Sequence, residues 1–309
     1  LKPLLTKDNL HEYQIEGHDH IVNQPHAGLF LEMGLGKTVT TLTAIDTLIY
    51  ADLAVDRVLV VAPKRIVESV WKQETEKWEH LRHLRVSRVI GTQKQRLSAL
   101  KVDADIYLIS RDNIAWLCNQ YGGFKLPFDM LVIDESSSFK NHKSIRFKAL
   151  KRIGFSRVVI LTGTPTPNTL IDLWAQIYLL DKGERLGRNI TEFRRRYFIP
   201  GASNGHIVYK YKAKKHAKEV IFNAISDICM SMKSEDYLKL PKRMDNFIEV
   251  KFPKKLQREY DDFAKELIYE IQMSQPEGAI EITAANAAAL SGSGGYCRER
   301  QRTACIGRD

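Results

Sequence analysis

Ala27-Gly28-Leu29-Phe30-Leu31-Glu32-Met33-Gly34-Leu35-Gly36-Lys37-Thr38 is an apolar run that breaks at two glycines and then opens a helix-like segment reaching Tyr50. The order is strand, glycine turn, helix start. Glycines let backbone N–H groups turn inward around an anion, and the first turn of a helix adds partial positive charge. Met33, Gly34, Leu35, Gly36, Lys37 and Thr38 are therefore candidates to cradle phosphates. Lys37 would reach the β- and γ-phosphates, and the Thr38 hydroxyl would ligate Mg²⁺. The strict G-x4-G-K-[ST] pattern wants a glycine where Leu31 stands, so the match is partial. A glycine turn that binds nothing is the competing reading.

A second apolar run, Met130 to Ile133, ends in Asp134-Glu135, roughly a hundred residues downstream of the loop. Carboxylates at the end of a buried strand fit the other half of a nucleotide site. Asp134 would join the Mg²⁺ shell and Glu135 would polarise the attacking water, because phosphoryl transfer is catalysed mainly by positioning and charge neutralisation. Lys37, Asp134 and Glu135 are thus the candidate catalytic set.

Between these points short Val/Ile/Leu runs alternate with longer helix-like stretches, the pattern of a parallel sheet covered by helices on both faces. Strands are expected over Gly28–Leu31, Arg57–Ala62, Val86–Ile90, Asp105–Ile109, Met130–Ile133 and Arg157–Leu161. Each candidate residue falls at the C-terminal end of a strand, where open α/β sheets bind ligands.

The composition bounds the rest. The chain has 309 residues, 44% of them hydrophobic, and a net charge of +10. That content supports large cores, and the charge favours a polyanionic partner. No apolar run approaches the ~20 residues of a membrane span, and the N-terminal residues lack a signal-peptide core. A soluble, cytoplasmic protein without a membrane partner is expected. Cys118, Cys229, Cys297 and Cys305 form no CxxC pair and read as reduced thiols.

The run Val158 to Leu161 leads straight into Thr162-Gly163-Thr164-Pro165-Thr166-Pro167-Asn168, followed by Leu173-Trp174. This resembles motif III of the Swi/Snf-related branch of the superfamily-two DEAD/DEAH helicases. Leu10-His11-Glu12-Tyr13-Gln14 with Gly17 resembles the adenine-recognition motif of that branch. Val60-Val61-Ala62-Pro63 resembles motif Ia, and Trp71 to Trp78 resembles its W-x-x-E-x-x-x-W neighbourhood. Motif II departs from the usual DEAHxLKN: Ser136 and Ser137 differ, while Lys140-Asn141 agree. The variant spellings are similar to those of phage or prophage members, so a bacterial or phage-infected cell is the expected setting.

The resemblance implies a RecA-like P-loop lobe that binds ATP and Mg²⁺ and works on double-stranded DNA. Tyr13 and Gln14 would belong to the cofactor site, with Gln14 reading the adenine edge and Tyr13 packing nearby. Thr162, Gly163 and Thr164 would couple the site to DNA, and the DNA backbone would meet Pro63, Lys64, Arg111 and Lys140. On this reading residues 1–185 form the lobe and 186–245 a basic helical insertion that closes it. Residues 246–290 would bridge toward a second RecA-like lobe that is absent from this chain, and 291–309 would be a disordered or alien tail. Missing arginine fingers would leave little turnover in the chain alone.

In the insertion, Arg194, Arg195 and Arg196 lie between Phe193 and Tyr197, ahead of Tyr209-Lys210-Tyr211-Lys212 and Lys214-Lys215. Interleaved rings and cations suit a nucleic-acid surface, and a solvated helical face fits equally well. Two other functions stay open at this point: an RNA helicase of the same superfamily, and a nucleotide- or DNA-binding module without turnover.

Overall fold

The computed structural model describes residues 4–237 except Phe124, Ala202, Gly205, His206, Tyr209 and Lys210, together with Arg258, Asp261 and Asp262. Apart from those last three, the expected bridge and tail lie outside the described residues, as do Cys297 and Cys305. Leu1–Leu240 forms one compact unit, and the architecture below belongs to it.

The helix α1 (Glu12–Asn23) precedes β1 (His26–Leu31), and α2 (Lys37–Asp46) runs through a π-helical turn to Ala51 before β2 (Val58–Ala62). Then come α3 (Trp71–Lys77), β3 (Val86–Val89), α4 (Gln93–Leu100), β4 (Ile106–Ser110), α5 (Ile114–Gln120) and β5 (Met130–Asp134). The chain continues with α6 (Ile145–Lys151), β6 (Arg157–Leu161), α7 (Asp172–Asp181) and α8 (Ile190–Tyr197). Short strands β7 (Phe198–Pro200), β8 (Ser203–Asn204), β9 (Ile207–Val208) and β10 (Tyr211–Ala213) follow, then α9 (Ala217–Ala224), β11 (Cys229–Met232) and α10 (Ser234–Tyr237).

Seven strands form one sheet in the order β11-β1-β6-β5-β2-β4-β3, and every pairing in it is parallel. Successive side chains of a strand face opposite sides. Leu59 and Val61 accordingly enter one core, with Phe30, Ile133 and Ile160, while Val58 and Val60 enter the other, with Leu31, Val132 and Leu161. Both faces are covered, which is why the strands read as continuous apolar runs. All six expected strands form, with ends shifted by a residue or two. Among the described residues no helix is long and apolar enough to cross a membrane.

The segment after residue 185 differs from the helical stretch expected there. Helices α8 and α9 do form, but Tyr211 lies on a strand that pairs antiparallel with β7. Cys229–Met232, unassigned from the sequence, joins the main sheet beside β1, pairing Gly28 with Cys229 and Leu31 with Met232. This segment thus supplies the outermost strand of the lobe's sheet on the β1 side. Hydrogen bonds offered by the exposed edge of β1 recruit a segment whose own β-propensity is weak.

Candidate functional site

Strands β1, β6 and β5 are neighbours, so the segments leaving their C-terminal ends meet at one edge of the sheet. After β1 the backbone takes left-handed conformations at Gly34 (φ +87°) and Gly36 (φ +72°), and Gly36 caps the start of α2. A Cβ on Gly36 would sit 2.1 Å from Gln14 Nε2. Only glycine satisfies both the turn and that approach. Lys37 Nζ donates to the carbonyls of Leu31 at 2.7 Å and Glu32 at 3.1 Å, folding back over the loop. Thr38 is half-buried in the first turn of α2. Leu35 points into the core and can offer only backbone, whereas Met33 is 80% exposed.

Asp134 ends β5, and its Oδ2 accepts the indole N–H of Trp71 at 3.0 Å. Glu135 follows in a left-handed conformation, φ +55°, costly for a residue with a Cβ. Its Oε1 accepts two hydroxyl groups, Ser137 Oγ at 2.5 Å and Thr162 Oγ1 at 3.1 Å. The Thr164 backbone N–H donates to the same Thr162 oxygen at 3.1 Å. A second link lies beside the first. The buried Ser136 hydroxyl donates to Gln176 Oε1 at 2.8 Å, while Gln176 Nε2 donates to the Pro165 carbonyl at 2.7 Å. Of the two serines that depart from the family spelling, Ser136 ties motif II to motif III through Gln176, while Ser137 braces the Glu135 carboxylate that Thr162 also holds. Gly163 packs so close to β1 that a Cβ would stand 3.3 Å from the Leu31 carbonyl, the oxygen that Lys37 also engages.

Burial lowers the pKa of Lys37, against the raising pull of Asp134, Glu135 and Glu32. Burial raises that of Asp134, with the Trp71 hydrogen bond and Lys37 opposing. Each group is poised to gain from a ligand that brings opposite charge. Among the described residues no group of three or more His, Cys, Asp or Glu side chains is arranged to hold a metal ion. One hydroxyl and one carboxylate, Thr38 and Asp134, suit a hard cation such as Mg²⁺ that arrives with phosphate and water ligands.

The adenine-motif residues are both buried, Tyr13 at 4% exposure and Gln14 at 5%. Gln14 is engaged at both ends of its amide: Oε1 accepts the His11 N–H at 2.9 Å and Nε2 donates to the Leu35 carbonyl at 3.3 Å. Pro63 and Arg111 follow the C-terminal ends of β2 and β4, joined by an Arg111 N–H bond to the Ala62 carbonyl at 3.0 Å. Lys64 is exposed beside Glu68, and Lys140 is half-buried just past motif II. The arginine triplet divides. Arg194 stacks over the Tyr211 ring at 4.7 Å, Arg196 pairs with Glu192, and Arg195 is exposed.

Three contributors escaped the sequence reading as individuals. Trp71 was visible only as part of a spaced pair of tryptophans, and its bond to Asp134 spans 63 positions. Gln176 carried no signal, being one polar residue in an apolar helix. Tyr237, whose ring lies 5.0 Å from that of Tyr13, belongs to a segment far from the motif it touches.

The SNF2-related domain model matches residues 13–292. Protein p41 of Acyrthosiphon pisum secondary endosymbiont phage 1 is 36% identical over 279 residues, covering 88% of this chain and 59% of its own length. Helicase ssl-1 of Caenorhabditis elegans is 26% identical over 270 residues, which are 84% of this chain and 11% of that protein. The chain thus spans about three-fifths of the first relative and a small part of the second. The Sulfolobus solfataricus SWI2/SNF2 ATPase core in complex with dsDNA shares the fold with a TM-score of 0.62 at 24% identity, over 89% of this chain and 56% of that one. With its motifs gathered on one edge of a RecA-like sheet and a family model matching most of its length, the chain belongs to the SNF2-related domain family, in the Swi/Snf branch of the superfamily-two helicases.

Proposed function

We propose that the chain is the ATP-binding lobe of a double-stranded-DNA-dependent ATPase that couples hydrolysis to movement along the duplex. The observation that carries this reading is the convergence of Lys37, Asp134 and Glu135, from the ends of β1 and β5 on either side of β6, on one edge of the sheet. On arrival of the triphosphate, Lys37 exchanges the Leu31 and Glu32 carbonyls for phosphate oxygens, and the N–H groups of 33–36 surround the anion. Thr38 and Asp134 would hold Mg²⁺, which when bound neutralises charge on the phosphates. Glu135 orients the attacking water, and the Thr162 hydroxyl on its carboxylate links that orientation to motif III. A net charge of +10 and the duplex held by the Sulfolobus relative support DNA as the polymer. Lys64, Arg111 and Lys140 are the candidate phosphate contacts. A second RecA-like lobe would supply arginine fingers worth roughly 10³ to 10⁵ in rate.

Calorimetry of Mg-ATP with wild type and Lys37→Ala tests the first step, and equal affinities would overturn the nucleotide site. Hydrolysis is then compared with duplex DNA, single strands and RNA, with a second lobe supplied. Stimulation by RNA alone would turn the reading to an RNA helicase. ATP binding without turnover on any polymer would leave a binding module.

A further inference from the structure

At the adenine-motif end of this site, Tyr13 offers no open ring face. Tyr13 is 4% exposed, with His11 stacked parallel to it at 5.3 Å and 9° and Tyr237 against it at 5.0 Å and 52°. A planar base has no free face of Tyr13 to use. Gln14 is equally committed, holding the His11 N–H and the Leu35 carbonyl. The ring left open is that of Tyr237, 45% exposed.

Its position follows from β11. That strand pairs with β1 up to Leu31 and Met232, and the Glu32 N–H, at the start of the phosphate loop, donates to the Met232 carbonyl at 3.3 Å. The chain therefore leaves the sheet beside the loop, and five residues later Tyr237 leans on the motif whose glutamine touches Gly36 and Leu35.

We infer that Tyr237 is the stacking residue for the nucleotide base, with buried Tyr13 as the support that fixes its tilt. This rests on the nucleotide reading above and adds to it a base-binding residue outside every motif. A base stacked on an aromatic ring gains from its whole π-face, so truncating the ring weakens base binding and spares the phosphates.

The test measures the affinities of Mg-ATP and Mg-tripolyphosphate for the full chain by calorimetry. Tyr237→Ala is expected to weaken ATP about tenfold, equivalent to about 1.4 kcal/mol, and to leave tripolyphosphate within twofold. Tyr237→Phe should keep wild-type affinity for both, because the ring is retained. Tyr237→Leu, which preserves apolar bulk against Tyr13, should behave as Ala does, and it guards against loss of folding. Unchanged ATP affinity in the Ala and Leu variants overturns the inference. Parallel loss of ATP and tripolyphosphate also overturns it, because Tyr237 would then be supporting the loop. Lys37→Ala in the same titrations reports on the site itself. If that variant binds ATP normally the nucleotide reading falls, whatever Tyr237 does.

Discussion

Trp71→Phe should weaken the lobe through the carboxylate that it holds. The indole is 1% exposed and donates to Asp134 Oδ2 at 3.0 Å. A hydrogen bond to a charged partner contributes roughly 1.5–3 kcal/mol, and leaving it unmade strands a buried acceptor. Shrinking the ring adds a cavity cost of about 1–2 kcal/mol, a fraction of the full Trp→Ala loss. The sum is about 2.5–5 kcal/mol, or a fall in Tm of roughly 5 to 20 °C for a lobe of this size. Urea denaturation of wild type, Trp71→Phe, Asp134→Asn and the double variant separates the two contributions. The asparagine still accepts from the indole but without charge, so the cycle should return a coupling of about 1 kcal/mol. If the single effects add to within about 0.3 kcal/mol, the bond contributes nothing beyond packing, and Trp71 is a core residue that happens to face motif II.

Ser137→Ala removes one of the two hydroxyl groups on Glu135 Oε1. We expect turnover in a two-lobe assay to fall roughly tenfold with ATP affinity unchanged, and Ser137→Thr to restore it; a fall in affinity alone would show that the serine serves binding. The Asp134 carboxyl is held above its ordinary value of 3.8 by burial. A raised folded pKa contributes stability that is present below the unfolded value and lost as pH rises through the folded one. Asp134→Asn should therefore melt higher than wild type at pH 7, with the advantage vanishing toward pH 4; an equal difference at both pH values would contradict the sign. In DNA binding, removing a side chain that neutralises one duplex phosphate should flatten the log–log salt slope by about 0.9. Arg195→Ala should flatten it if the patch meets DNA, whereas Arg194→Ala, which unstacks Tyr211, should lower Tm without changing the slope; the reverse pattern would show that Arg194 is the residue on the phosphate.

The strands and the phosphate loop were legible in the sequence because their determinants are local. A run such as Val58 to Ala62 announces a strand buried on both faces, and Gly34 and Gly36 announce a turn that L-residues resist. The order of motifs I, II and III along the chain then sufficed to identify the family. What the tertiary structure decided are the contacts that close over long separations. Cys229-Met230-Ser231-Met232 has no strong strand character of its own and becomes a strand only because β1 presents an open edge. Ser136 departs from the family spelling, yet folding brings its hydroxyl to Gln176, 40 positions along the chain. Tyr13 and Gln14 were recognisable as a motif, but their burial under Tyr237 and against Gly36 depends on packing that no local pattern encodes. Local propensity and hydrophobic period act over a few residues, whereas a hydroxyl or a ring finds its partner only after the sheet has fixed which distant segments lie side by side.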